Sequence, residues 1–162
     1  MKITFIQTGG TIDKVYPSTE HTHGYNFEIG DPAFISIIQK INPSFEFDNM
    51  SVVKKDSLDF IDADRQIVFD AVVSCKNENI IITHGTDTIY KTAEKLSNIK
   101  NKKVILTGAM LPAEFSRSDA MFNIGLAVGA IQTLQSLGIY IALYGVVIPW
   151  DKYPDVLKLN QK

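Results

Sequence analysis

The chain has 162 residues, 45% of them hydrophobic and 21% charged, enough apolar material for one globular domain with a packed core. A formal charge of -2 and the lack of any Lys/Arg-rich run exclude an electrostatic footprint for nucleic acid. One cysteine, Cys75, excludes an intramolecular disulfide framework and a cysteine metal cluster, and its setting late in a predicted helix makes it a packed residue.

Lys2 to Ile6 reads as a short apolar strand, followed by a polar stretch with Gly, His and Tyr from Thr8 to about Gly30. A loop of that length in a compact domain is more often functional or mobile than decorative. Asp31-Pro32 opens a helix, Asp as cap and Pro at the first helical position, with Phe34, Ile37, Ile38 and Ile41 as its apolar stripe and Asn42-Pro43 as its stop. Phe45 to Lys54 reads as a second, less apolar strand nearer an edge. Asp62 or Asp64 then caps a helix that turns Ile67, Val68, Ala71 and Val72 to the core.

Asn79 to Thr83 is a β-branched third strand, Thr88 to Leu96 a helix and Lys103 to Thr107 a fourth strand. Asp119 to Leu137 is a longer helix that buries Phe122, Leu126, Ala130, Ile131 and Leu134, and Ile139 to Ile148 is a fifth strand. This alternation predicts an open, mostly parallel α/β sheet with helices on both faces. The start of the chain has no basic segment followed by a long apolar one, and Gly145 and Pro149 break the longest apolar run, Ile139 to Trp150. A cytoplasmic domain is expected, with no membrane partner.

The chemistry gathers at strand ends. Gln7-Thr8-Gly9-Gly10-Thr11-Ile12 and Thr83-His84-Gly85-Thr86-Asp87-Thr88 each set hydroxyls beside glycines where a strand passes into a loop. All strand C-termini of a parallel sheet open on one edge, so both turns can face one ligand. Ser57 and Asp59 after the second strand, and Gly108-Ala109 after the fourth, join them there. A threonine hydroxyl needs a neighbouring base to act as nucleophile, and glycines let backbone N–H groups approach a developing oxyanion. Either turn alone is also an ordinary strand-to-helix connection with a capping Thr or Asp. No G-x-x-x-x-G-K-[ST] or G-x-G-x-x-G occurs, which argues against a nucleotide cradle.

Thr8-Gly9-Gly10-Thr11-Ile12, His84-Gly85-Thr86-Asp87-Thr88, and Thr107-Gly108-Ala109-Met110-Leu111-Pro112 with Asp119 and Phe122-Asn123 resemble the bacterial-type L-asparaginase/glutaminase family, in the order of its N-terminal domain. The resemblance implies a Rossmann-like α/β domain and hydrolysis of the side-chain amide of asparagine, or a related small amide, to carboxylate and ammonia. It assigns Thr11 as nucleophile assisted by Tyr25, with Tyr16 as a rival. Thr86, Asp87 and a lysine form a second catalytic group; Lys152 is the first choice for the lysine and Lys158 the second. Gly10, Ser57, Asp59, Gly85 and Ala109 are expected to line the substrate site, Ser57 and Asp87 holding the α-carboxylate and α-amino groups. Neither a metal nor an organic cofactor is implied.

His84 reads as a structural hydrogen-bonding residue, and His21 and His23 as solvated. Trp150 is read either as lining the crevice mouth or as a hydrophobic plug. Where the family commonly has a polar residue after the serine, this sequence has Leu58, and Leu111 stands for its usual arginine before proline. Family members carry a smaller second domain. This chain is therefore expected to be a single-domain form over residues 1–162, stand-alone or a fragment, and a homodimer or homotetramer. The competing reading is a non-catalytic module that retains the crevice and binds an amino-acid-like ligand.

Overall fold

The structure, a computed structural model, describes residues 1–16 and 27–155. In chain order the elements are β1 (Lys2–Gly9), the short strands β2 (Lys14–Val15) and β3 (Glu28–Ile29), α1 (Ala33–Lys40), β4 (Glu46–Lys55), α2 (Asp62–Ser74), β5 (Asn79–Thr83), α3 (Ile89–Leu96), β6 (Lys103–Thr107), α4 (Ala120–Thr133), β7 (Gly138–Leu143) and β8 (Val146–Pro149). Single 3-10 turns sit at Thr11–Asp13, Ser57–Asp59 and Trp150–Lys152.

The main sheet runs in the order β4-β1-β5-β6-β7-β8, with every pair parallel except the antiparallel β7–β8. Its core strands are fully buried, as a parallel sheet covered on both faces requires. Ile80 and Ile82 of β5 face α2 and α3 through Val68, Val72, Ala93 and Leu96. Ile81 between them faces α1 and α4 through Phe34, Ile38, Ile124 and Ile131. Each fully buried isoleucine contributes roughly 1.5–3 kcal/mol against solvent exposure.

β4, expected near an edge, is one of the two edge strands, with β8 at the other. The chain leaves β1 toward β4 on one side and later returns to β5 on the other. The crevice of such a sheet opens where neighbouring strands lead off in opposite directions, here between β1 and β5. The two hydroxyl-rich turns end those two strands.

Several local expectations give way. The run from Ile139 to Ile148 is a hairpin, because Tyr144-Gly145 turns the chain back and pairs Leu143 with Val146. The last helix ends at Thr133, short of Leu137. Helix α1 starts at Ala33, and its cap is the carboxylate of Asp13, which accepts the Ala33 N–H at 2.8 Å. Asp31 instead points to solvent, 3.4 Å from Lys54. Asp64 caps α2 from within the first turn by accepting the Ile61 N–H. Ile41, Ile67 and Phe122 are exposed, since each falls outside the arc its helix presents to the sheet. Cys75 closes α2, buried, with its thiol donating to the Thr4 hydroxyl.

Candidate functional site

The site is built on glycines that bring backbones into contact. Gly9 and Gly10 have φ of 93° and 89°, the region where only glycine is unstrained. A Cβ on Gly10 would strike the backbone of Gly85, and a Cβ on Gly85 would strike the side chain of Ser57. The turns after β1 and β5 thus meet backbone to backbone, and the turn after β4 meets them through the small side chain of Ser57. The Gly10 N–H donates to the Lys55 carbonyl at 3.0 Å, so Gly10 supplies close approach and no free donor.

Thr11 follows at the start of its 3-10 turn, half-buried. Thr8, grouped with it on sequence, is fully buried and donates to the Thr83 carbonyl at 2.8 Å, locking β1 to β5. Ser57 is 1% exposed, and its hydroxyl has no hydrogen-bond partner among the described residues. A buried hydroxyl left unpaired is costly. The Thr88 hydroxyl fixes this turn by donating to the Ser57 carbonyl at 2.8 Å.

Ion pairs and helix ends hold the turns from outside. Lys14, three residues after Thr11, meets Asp56, the residue before Ser57, at 2.6 Å. The same Asp56 accepts the Leu58 N–H at 3.1 Å. That Lys14 hydrogen bond, foremost, holds the Asp56 carboxyl below its ordinary range. The pair borders a hollow of about 460 Å³ that also takes in Phe27, Lys55 and Asp59. Asp119 explains its own place in the sequence motif: its carboxylate accepts the N–H groups of Met110 and Leu111 and the side-chain amide of Asn123. Asn123 also donates to the Gly108 carbonyl, so the start of α4 shapes the loop after β6.

Thr86 is half-buried and donates to the Met110 sulphur at 3.5 Å, with exposed Asp87 following it. Ala109 is fully buried in the adjoining loop, while Leu58 and Asp59 are exposed beside Ser57. His84 is fully buried. Its Nδ1 donates to the Gly85 carbonyl at 2.9 Å, which leaves Nε2 to accept from Thr92 at 2.8 Å. Burial pushes its pKa down to about 4 and keeps the ring neutral, the structural role expected of it.

Lys152 is exposed, its ammonium 3.9 Å from Asp151. Tyr25, Lys158, His21 and His23 lie outside the described residues. Tyr16 forms an aromatic cluster with Phe27 and Phe115 beside the β2–β3 pairing. Trp150 packs on Tyr90 and lines a hollow with Ile99 and Gly138 at the opposite edge of the sheet, where antiparallel β8 delivers it. Sequence reasoning also passed over Lys14, Asp56, Tyr144 and Tyr153, whose types carry no motif and whose roles exist only through contacts. Among the described residues, no group of three or more His, Cys, Asp or Glu side chains could hold a metal, and no helix is long and apolar enough to cross a membrane.

Comparison with known proteins fits this geometry. Residues 2–149 match the family model described as Asparaginase, N-terminal. The chain belongs to the asparaginase family. A probable periplasmic L-asparaginase of Haemophilus influenzae is 28% identical over 152 residues, 90% of this chain and 44% of that protein. A glutamyl-tRNA(Gln) amidotransferase subunit of Methanococcus maripaludis is 43% identical over 70 residues, 42% of this chain and 16% of that protein. The thermostable L-asparaginase from Thermococcus kodakarensis superposes with a TM-score of 0.76 at 28% identity, over 93% of this chain and 46% of that one. This asparaginase-family chain thus spans less than half the length of these relatives.

Proposed function

We propose that this chain is an amidohydrolase of the L-asparaginase type, acting on asparagine or a related small amide with Thr11 as its nucleophile. The observation that carries the reading is the stacking of Gly10, Gly85 and Ser57. It supports the reading because Thr11 directly follows Gly10, Thr86 directly follows Gly85, and Ser57, against Gly85, has a buried hydroxyl without a partner among the described residues. In this reading the Ser57 hydroxyl receives the substrate carboxylate and Asp87 its ammonium.

Thr11 Oγ attacks the amide carbonyl while its proton passes to a base, and ammonia leaves with that proton as the C–N bond breaks. Water then hydrolyses the threonine ester and returns the hydroxyl. Thr86, Asp87 and a lysine form the second proton-handling group, and Tyr25 assists Thr11. The protein works in the cytoplasm as a homodimer or homotetramer and needs no cofactor.

Ammonia release from asparagine, glutamine and a panel of small amides tests this on the wild type and on Thr11→Ala, Thr86→Ala, Lys152→Met and Lys158→Met. Loss of turnover in both threonine variants, with folding intact, supports the assignment. The lysine variant that also loses turnover identifies the third member. A wild type that releases no ammonia, yet melts higher in the presence of aspartate, defines a binding module instead.

The similarity to amidotransferase subunits favours one variation, in which the nitrogen passes to an acceptor held by a partner protein. One free ammonia per carboxylate formed speaks against it.

A further inference from the structure

The β7–β8 hairpin closes through two residues, Tyr144 and Gly145, between the paired Leu143 and Val146. Both have positive φ, 55° and 79°, the mark of a type I′ turn whose twist suits a hairpin. Asn or Asp ordinarily fills the first position of that turn, because a bulky side chain there crowds its own backbone. Tyr144 is therefore strained, and strain persists only where something else determines the residue. Burial of the ring does not do so, since Tyr144 is 42% exposed.

The phenol does. Its OH donates to the Met110 sulphur at 3.7 Å, and Thr86 donates to the same sulphur at 3.5 Å. Tyr153, buried, is a neighbour of Tyr144. Burial first, and then the neighbouring Tyr144 and Asp87, push the Tyr153 phenol upward. A thioether is a weak acceptor. A threonine proton parked on sulphur is thus released at little cost when a base or substrate arrives.

We propose that Tyr144 is a positioning residue for Thr86. It holds Met110 where the sulphur orients the Thr86 hydroxyl. The proposal rests on the amidohydrolase reading above.

Tyr144→Asn and Tyr144→Phe test it, with melting temperature, kcat and KM measured on the best amide of the panel. Tyr144→Asn installs the favoured Asn-Gly pair, so Tm should rise by about 2–4 °C, while kcat falls about tenfold and KM changes less than threefold. Tyr144→Phe keeps the strained turn and should leave Tm in place while losing most of the same kcat. A packing residue would behave differently, since its replacement lowers Tm and activity together. That outcome overturns the proposal, as does full activity in either variant, and both leave the amidohydrolase reading standing. A wild type inactive on every amide overturns the reading, and the proposal with it.

Discussion

The backbone of Gly10 lies against that of Gly85, so close that a single added carbon on Gly10 has no place to go. Two segments distant in sequence thus meet, and on the Gly10 side the obstructing atoms are main chain and cannot give way. Gly10→Ala adds a positive-φ penalty to that clash. We expect it to cost about 3 kcal/mol or more, seen as a fall in the denaturant midpoint, with activity lost in the fraction that still folds. Gly85→Ala meets the Ser57 side chain and should fold better than Gly10→Ala while binding substrate worse. Two equally stable, equally active variants would contradict the stacking.

Asp13 and His84 titrate in opposite senses on either side of the sheet. Burial raises the Asp13 carboxyl from 3.8 to about 6, although the Ala33 N–H favours its charged form. Its stabilising contribution is complete below pH 3.8 and is lost as pH rises through 6. Burial lowers His84 from 6.5 to about 4, so its contribution is complete above pH 6.5 and is lost as pH falls to 4. Each amounts to about 3 kcal/mol at about 1.4 kcal/mol per pH unit.

The two nearly cancel, so wild-type stability should be almost flat between pH 4 and 6.5. Asp13→Asn should expose the histidine alone and lose stability on acidification. His84→Gln should gain it. Urea melts across that window check both slopes, and a steep acid loss in the wild type would show that the balance is wrong.

The strands and helices were legible where apolar runs carry β-branched residues between clear stops. Asn79 to Thr83 and Lys103 to Thr107 match residue for residue. The hairpin was not legible, because Tyr144 is no ordinary turn former and the apolar pattern runs straight through it. The end of α4 was equally hidden, since Leu134 leaves the helix with neither Gly nor Pro to announce it. Within the site, the turns that hold Thr11, Ser57 and Thr86 could be read from glycine and hydroxyl spacing. The groups that fix them could not, because Lys14 with Asp56 and Tyr144 with Met110 are pairs made by the fold alone.

Leu58 tests what the crevice accepts. It is 70% exposed beside Ser57, so Leu58→Gln should leave stability within about 0.5 kcal/mol. If the family's polar residue at this place serves the substrate's α-amino group, the exchange should raise kcat/KM for free asparagine about tenfold. Succinamic acid, which has no α-amino group, should gain nothing. An equal gain on both compounds would remove Leu58 from the question of selectivity.

The Lys14–Asp56 pair joins the turn that carries Thr11 to the turn that carries Ser57. Both side chains are about a quarter exposed, so the pair itself contributes about 1 kcal/mol or less to stability. If Thr11 is the nucleophile proposed above, the larger effect should fall on catalysis, where a misplacement of about 1 Å is felt in rate. Asp56→Asn keeps an acceptor for the Leu58 N–H and removes only the charge, and Lys14→Met removes the other half. Each should lower kcat/KM about tenfold with little loss of Tm, and the double variant should be no worse than either single one. Lys14→Arg, which restores the charge, should recover most of the activity. Additive losses in the double variant would mean that the two residues act separately and that the turns are held by their backbones alone.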